Sequence, residues 1–309
     1  MIVGAGPAGC TAALYCARAG LRTLVLSPTE FGGTMASAAV VANWPGQAEA
    51  KPGREVLAAI RAHALSAGAE HRLEAVIGVQ PCEDGIITVY TSADAHCVGA
   101  VIVATGAAAA AKAPGEAEYQ GRGVCYCAAC DGPLYRGEKV LVVGQDSQVV
   151  EEALTLAGLA EEVQLVCPTP KLHADEELLA ALAARRNVQL EVGLALDEIT
   201  GGECLEGARF RDRQGATREF AATGLFLYLR GSKPATEFLM GCVATDEEGY
   251  ITTDEMCQTS VPGIFAAGDV RAKHVKQNVV AAAEGCIAAL AAERYLRRRE
   301  GVRLDRGKG

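Results

Sequence analysis

The sequence predicts an α/β protein built from two Rossmann-like domains, and three observations carry that reading. The chain opens on a short apolar run, "MIV", then a glycine turn, "GAGPAG", a helix-forming stretch at 8–19, "AGCTAALYCARA", and a second apolar run within "RTLVL" at 22–26. The same pattern returns at 139–166, "KVLVVGQDSQVVEEALTLAGLAEEVQLV". Two further apolar runs, in "VIVATGA" at 101–107 and "GIFAAGDV" at 263–270, each end in a glycine turn. Short continuous apolar runs alternating with helical patterns mark βαβ units around a parallel sheet buried on both faces. The 309 residues allow two domains of roughly 100–200 residues each.

Taken in order, "MIV" is a buried strand, and Gly4, Gly6 and Gly9 make the turn that follows it. Set between a strand and a helix, this spacing is a dinucleotide fingerprint. The first glycine turns the chain, the second lets backbone approach a pyrophosphate, and the third lets the helix pack closely. The helix N-terminus then offers free N–H groups to phosphates. In the second unit "VLVV" is the strand, the helix runs from about Ser147 to Ala160, and "VQLV" is the next strand. "GIFAAGDV" is a strand ahead of a helix beginning near Gln277. Hairpin-like strands fill 84–98 and 204–221, and the alanine runs at 107–111 and 281–292 read as a turn and a helix.

Composition narrows the function classes. The net charge is −9, but residues 271–309 hold ten Lys and Arg against four Asp and Glu, so this tail is +6 and the remainder −15. An acidic body argues against nucleic acid as a partner. No apolar run reaches the roughly 18–20 residues of a bilayer span, and no charged leader with an apolar core opens this sequence. A cytoplasmic protein without a transmembrane segment is expected.

Twelve cysteines are present, nine of them scattered singly: Cys10, Cys16, Cys82, Cys97, Cys167, Cys204, Cys242, Cys257 and Cys286. Such cysteines are usually small buried hydrophobes. Only Cys125, Cys127 and Cys130 cluster, in "GVCYCAACDG" at 123–132. A pair at this spacing can hold a metal, exchange disulfides or pack inertly. Structural zinc needs four ligands, usually from a second CxxC or an HxxxH, and none of the five histidines lies near the cluster. Cys125 reads as a packing residue rather than a third redox centre.

Six motifs then occur in a telling order: "GAGPAG", "NWPG" at 43–46, "ATG" at 104–106, "GRGVCYCAACDG" at 121–132, "GSKPATEFL" at 231–239 and "GIFAAGD" at 263–269. In order and spacing the chain resembles the thioredoxin reductases, the small bacterial type of flavoprotein disulfide reductase, over essentially its whole length. The resemblance implies an FAD-binding domain split across 1–110 and 233–309. It also implies an inserted domain at 111–232 that carries the CxxC and, in the family, binds NADPH. It implies a homodimer and a thioredoxin-like protein partner. Carried over, Gly4, Gly6 and Gly9, with Pro7 and Ala8, would hold the FAD pyrophosphate. Asn43 would lie near the flavin, Asp269 would hydrogen-bond the ribityl chain, and Gln277 would lie near the isoalloxazine. Gly33, Thr105, Gly106, Gly268 and Lys276 complete the cofactor set. Ser27 stands where many dinucleotide folds place an acid for the ribose, so Glu30 is the substitute candidate. Cys130 would be the flavin-side sulfur, Cys127 the exchange sulfur and Asp131 the general acid/base that moves the thiol proton. No metal is expected.

The second nucleotide motif departs from the family. Where GxGxxA is expected the chain reads "GQDSQV": Gly144 survives, Asp146 replaces the second glycine and Val149 the alanine. A carboxylate there adds bulk and a charge that repels phosphate. Where an HRRxxxR-like stretch would grip the 2′-phosphate of NADPH, the chain reads "CPTPKLH" at 167–173, with Lys171 and His173 but no guanidinium fork. Each lost charge-assisted hydrogen bond is worth roughly 1.5–3 kcal/mol. NADPH binding is therefore expected to be absent. "YLRGSKP" at 228–234 also carries an extra residue near Arg230.

Three functions follow as expectations. One is a flavin thiol–disulfide oxidoreductase fed by ferredoxin or another acidic carrier docked on Arg271, Lys273, Lys276 and Arg297 to Arg299. Another is a diflavin-linked disulfide oxidoreductase, with a second FAD met by Arg230, Lys273, His274 and Lys276 and electrons able to run from dithiol to flavin. The third is a non-catalytic FAD-binding redox sensor.

Overall fold

The computed structural model describes residues 1–30, 33–38, 40–109, 113–229 and 232–299. The chain divides into two units, Met1–Ala108 with Ser232–Gly309, and Ala109–Gly231.

The first unit is built on a five-stranded parallel sheet in the order Ile264–Ala266, Val101–Val103, Ile2–Val3, Leu24–Ser27, Glu70–Leu73. Its central strands are short, apolar and buried, as strands covered on both faces must be. Ile2 pairs with Val25 on one side and Ile102 on the other. Helix Pro7–Arg18 lies against the sheet through Ala8, Gly9, Cys10, Ala12, Ala13 and Cys16. This face of small residues lets the long helix Asn278–Arg299 come close. A Cβ on Gly285 would overlap the Ala8 carbonyl oxygen, so only glycine fits there.

The second unit repeats the plan. Its parallel sheet runs Val188–Val192, Glu162–Cys167, Lys139–Gly144, Gly224–Tyr228, Val124–Cys125. Alternation along the middle strand sends Val140 and Val142 into one apolar cluster and Leu141 and Val143 into the other. Helix Ser147–Ala157 covers the first face, with Val149, Val150, Ala153 and Leu156 buried. It stops three residues short of the expected end, with Gly158 at its C-cap.

Each unit also carries a three-stranded antiparallel sheet where the sequence suggested a hairpin. The expected pairs are Ile87–Thr91 with Ala95–Val98 and Leu205–Arg211 with Thr217–Ala221; Val76–Pro81 and Ala195–Gly201 are added to them. Ala107–Ala109 forms a strand rather than the expected turn, and residues 110–112 fall outside those described. Among the described residues no helix is long and apolar enough to cross a membrane.

Candidate active site

The CxxC turn hangs from the edge of the second sheet. Strand Val124–Cys125 pairs with Gly224–Tyr228, Cys125 opposite Phe226. The chain stays extended through Cys127 (φ −155°, ψ 112°) and then turns into the single helical turn Ala128–Asp131. Cys127 is its N-cap: its sulfur accepts the Cys130 N–H at 3.2 Å, and its carbonyl accepts the Asp131 N–H at 3.0 Å. This folding brings the two α-carbons to 5.3 Å, and Cys127 and Cys130 are joined as a disulfide. The separation falls in the range an S–S bond requires.

What surrounds the turn gives it chemistry. Ala128, wholly buried, donates its N–H to Glu152 Oε2 at 2.6 Å, and Tyr228 donates its hydroxyl to the same oxygen at 2.8 Å. Gly132 is buried beneath Leu156 and Leu159, where a side chain would crowd. Asp131 is half-buried. Burial pushes its carboxyl up from the ordinary 3.8 to about 6, against hydrogen bonds from the Tyr126 N–H and the Cys125 thiol that pull it down. A carboxyl that titrates near neutrality can both give and take a proton. Cys125 is buried, and burial pushes its thiol up to about 12, so at neutral pH it is not the nucleophilic thiolate. Tyr126 donates its hydroxyl to Glu116 at 2.7 Å. Among the described residues no cluster of His, Cys, Asp and Glu could hold a metal ion.

Sequence reading missed Glu152, Tyr228, Tyr135 and Glu116. Glu152 alone left a signal. It lies three residues after buried Val149 and four before buried Leu156, so a charged residue sits on the apolar face of its helix. Tyr228 and Glu116 meet the turn only through the fold.

In the first unit, three loops converge at the carboxyl ends of adjacent strands. After Ile2–Val3 come Gly4, Gly6, Pro7, Ala8 and Gly9; after Val101–Val103 come Thr105 and Gly106; after Ile264–Ala266 come Gly268 and Asp269. This is where open α/β sheets bind ligands. Gly4 (φ +108°) faces the Ala104 carbonyl, and a Cβ on Gly9 would overlap the Gly4 carbonyl. Gly6 is the N-cap of helix Pro7–Arg18, makes no side-chain cap and faces open space. The helix N-terminus thus presents uncapped N–H groups over a cradle that a side chain would fill.

Glu284 from the long helix accepts the Gly268 N–H at 2.7 Å and pairs with Arg271 at 2.9 Å and Lys273 at 3.0 Å. Lys273 also stands 3.1 Å from Asp269 Oδ1, which is buried and lacks a hydrogen bond of proper angle. An acceptor left in that state suits a polyol hydroxyl. These features fit FAD. Glu30 lies past the end of strand Leu24–Ser27, half-exposed and paired with Arg61 at 3.2 Å. Ser27 is buried and bonded to His71 at 2.7 Å, so it is not available to a ribose as Glu30 is. Gly33 opens the short helix Gly33–Ser37 at φ +84°. Thr105 donates to the Ala235 carbonyl at 2.8 Å. Gln277 is half-buried at the start of the long helix, its carbonyl accepting the Ala281 N–H. Asn43 is exposed on the loop 42–48, and Lys276 is held by Tyr250, 2.7 Å from its hydroxyl and 3.9 Å from its ring centre.

The matching turn of the second unit is built differently. Asp146 is the N-cap of helix Ser147–Ala157, and its Oδ1 accepts the Val149 N–H at 3.2 Å. The donor that a phosphate would use is already taken by a fixed negative charge. Val149 packs against Gly144, whose Cβ would meet its side chain at 2.8 Å. Segment 167–173 folds back on itself, with Thr169 donating to the Lys171 carbonyl at 2.7 Å, and His173 donates its N–H to the Gln145 carbonyl across the turn. The residues present do not fit a dinucleotide phosphate.

The chain matches the family model "Pyridine nucleotide-disulphide oxidoreductase" over residues 1–285. It is similar to the thioredoxin reductase of Aquifex aeolicus, 40% identical over 299 residues, 96% of this chain and 92% of that protein. Among solved structures it is similar to a thioredoxin reductase from Streptococcus pyogenes (33% identity, TM-score 0.90, 96% of this chain and 97% of the other). A thioredoxin reductase from Gloeobacter violaceus is also similar (39% identity, TM-score 0.56, 99% and 96%). With its two Rossmann-like domains and its CxxC turn, the chain belongs to the thioredoxin reductase family of the pyridine nucleotide-disulphide oxidoreductases.

Proposed function

We propose that this protein is an FAD-dependent thiol–disulfide oxidoreductase that exchanges electrons with a thioredoxin-like partner and does not draw them from NADPH. The observation that carries the last clause is the Asp146 cap on the Val149 N–H, in the place where the family binds a pyridine nucleotide. The folded-back 167–173 segment, without arginine, supports it.

In this reading the first unit is the FAD-binding domain and the second the inserted redox domain, and the chain acts as a homodimer. The uncapped N–H groups after Gly6 face the pyrophosphate, and Asp269, braced by Lys273, takes the ribityl hydroxyls. FAD bound there supplies two-electron chemistry toward the Cys127–Cys130 pair. The chain's own part is at the sulfurs. Opening the disulfide takes up two electrons and two protons; Cys127 exchanges with the partner, Cys130 serves the flavin side, and Asp131 gives or takes one thiol proton.

The donor is ferredoxin or another acidic carrier. Much of the basic charge offered to it is committed inside the first unit, however. Arg271 and Lys273 pair with Glu284, Arg297 with Glu293, and Arg299 with the carbonyls of Asp84 and Gly85, while Arg298 is exposed. A second FAD is the alternative, and Lys273 and Lys276 are engaged against that role too. Arg230 lies outside the described residues. Anaerobic mixing of the oxidised holoprotein with NADPH tests the central claim. The flavin absorbance should persist, and rapid bleaching would sink it.

A further inference from the structure

We propose that Arg61 and His71 are positioning residues that hold the Glu30 carboxylate ready for the adenosine ribose of bound FAD. The inference rests on the reading of Glu30 as the acid that meets that ribose.

The construction starts at the His71 ring. Its Nδ1 accepts the Arg61 Nε–H at 2.9 Å. A ring nitrogen that accepts is bare, so a neutral imidazole in this place carries its proton on Nε2. Nε2 lies 2.7 Å from the Ser27 hydroxyl oxygen. Ser27 has already given its own proton to the Thr29 carbonyl at 2.6 Å, so toward His71 it accepts. The directions thus agree from both ends. Burial, and after it the Arg61 cation, hold the His71 pKa below its ordinary value, against the pull of Glu30. The guanidinium, pinned at Nε, places Nη1 3.2 Å from Glu30 Oε1. A planar fork fixed at one nitrogen presents the other in a set direction. The network therefore leaves the strand at buried Ser27 and returns to the same loop at Glu30.

Three elements supply the parts. Helix Gly53–Ser66 carries Arg61, and strand Glu70–Leu73, paired with Leu24–Ser27, carries His71. Arg61 and His71 also share a narrow crevice with Ala5 and Cys10, so the network stands beside the first glycine turn. Glu30 is half-exposed, and a long side chain in that position, left to itself, would move among many rotamers. A ligand that must order such a side chain loses affinity, and an acid held beforehand removes that loss. The ion pair engages one oxygen of a carboxylate that offers about four lone-pair sites. Acceptors remain for the ribose hydroxyls.

The experiment compares two flavins on the full-length, flavin-stripped protein: FAD, and its analogue with a 2′,3′-dideoxy adenosine ribose. Flavin fluorescence at equilibrium gives a Kd for each, and their ratio reports the ribose hydroxyls alone. Wild type should prefer FAD by roughly tenfold to a hundredfold, the scale of a charge-assisted hydrogen bond. Glu30→Ala should bring the ratio near one. Arg61→Met should shrink the preference about threefold or more, and His71→Leu should shrink it too. Damage to the fold would weaken both flavins alike and leave the ratio where it was. A full preference kept by Arg61→Met or by His71→Leu overturns the proposal, while the reading of Glu30 stands. No preference in wild type overturns that reading, and the proposal with it. Should the variants fail to hold either flavin, nitrogen NMR of the labelled wild-type holoprotein carries the test, the His71 ring assigned by its absence from His71→Leu. At neutral pH the ring should hold its proton on Nε2 and leave Nδ1 bare. A proton on Nδ1 means that Arg61 does not donate there, and it overturns the proposal.

Discussion

Asp131 makes the pH behaviour of this protein readable from a single residue. Its carboxyl holds a proton to about pH 6 in the folded state and only to near the ordinary 3.8 when unfolded. Between those values the folded state binds more protons, so stability from this group is greatest at the acid end and falls as pH rises through the window. Asp131→Asn removes that slope. Urea unfolding of both proteins from about pH 4 to 7 should show the variant gaining stability relative to wild type as pH rises; a constant difference would contradict it. The sequence shows Asp131 beside the cysteines but not its burial, which comes from distant residues. It shows Asp146 as bulk and charge in a phosphate turn, yet not as a cap, because a cap depends on the backbone angles φ −123° and ψ −177°. Glu152 and Tyr228 lie 24 and 100 residues from Ala128, whose N–H they share. No local pattern joins such residues.

At the scale of elements, two helices decide whether the first glycine turn keeps its shape. Helix Pro7–Arg18 starts in that turn, and the long helix packs on its small-residue face with Gly285 against the Ala8 carbonyl. Adding a methyl group there meets backbone, which cannot swing aside as a side chain would. Gly285→Ala should cost about 1–3 kcal/mol in urea unfolding, the range of an overpacked core site. It should also weaken flavin retention through gel filtration, since Ala8 belongs to the first turn of the helix proposed to face the FAD phosphates. Full stability with full flavin content would show that the helices can part without cost. The strand–turn–helix pattern made these elements legible, because parallel strands buried on both faces leave unbroken apolar runs. The extra strands Val76–Pro81 and Ala195–Gly201 were not. They mix exposed and buried positions without clean alternation, and each carries a register irregularity against its partner.

Over the whole molecule, the two units repeat one plan with opposite helix N-termini, open after Gly6 and closed by Asp146. That contrast predicts how ligands act on thermal unfolding. A ligand that binds only the folded form stabilises it by about 2.7 kcal/mol at a hundredfold excess over its Kd. In flavin-stripped protein, FAD should raise the unfolding midpoint of the first unit, reported by the aromatic contact of Phe265 with Tyr295. NADPH should leave the second unit's midpoint, reported by Tyr135 and Phe226, where it was. A midpoint raised by NADPH would mean that the capped helix still accepts a pyridine nucleotide. FAD raising both midpoints would favour the two-flavin reading over an acidic carrier, because the second unit would then have a ligand of its own that the Asp146 cap does not repel.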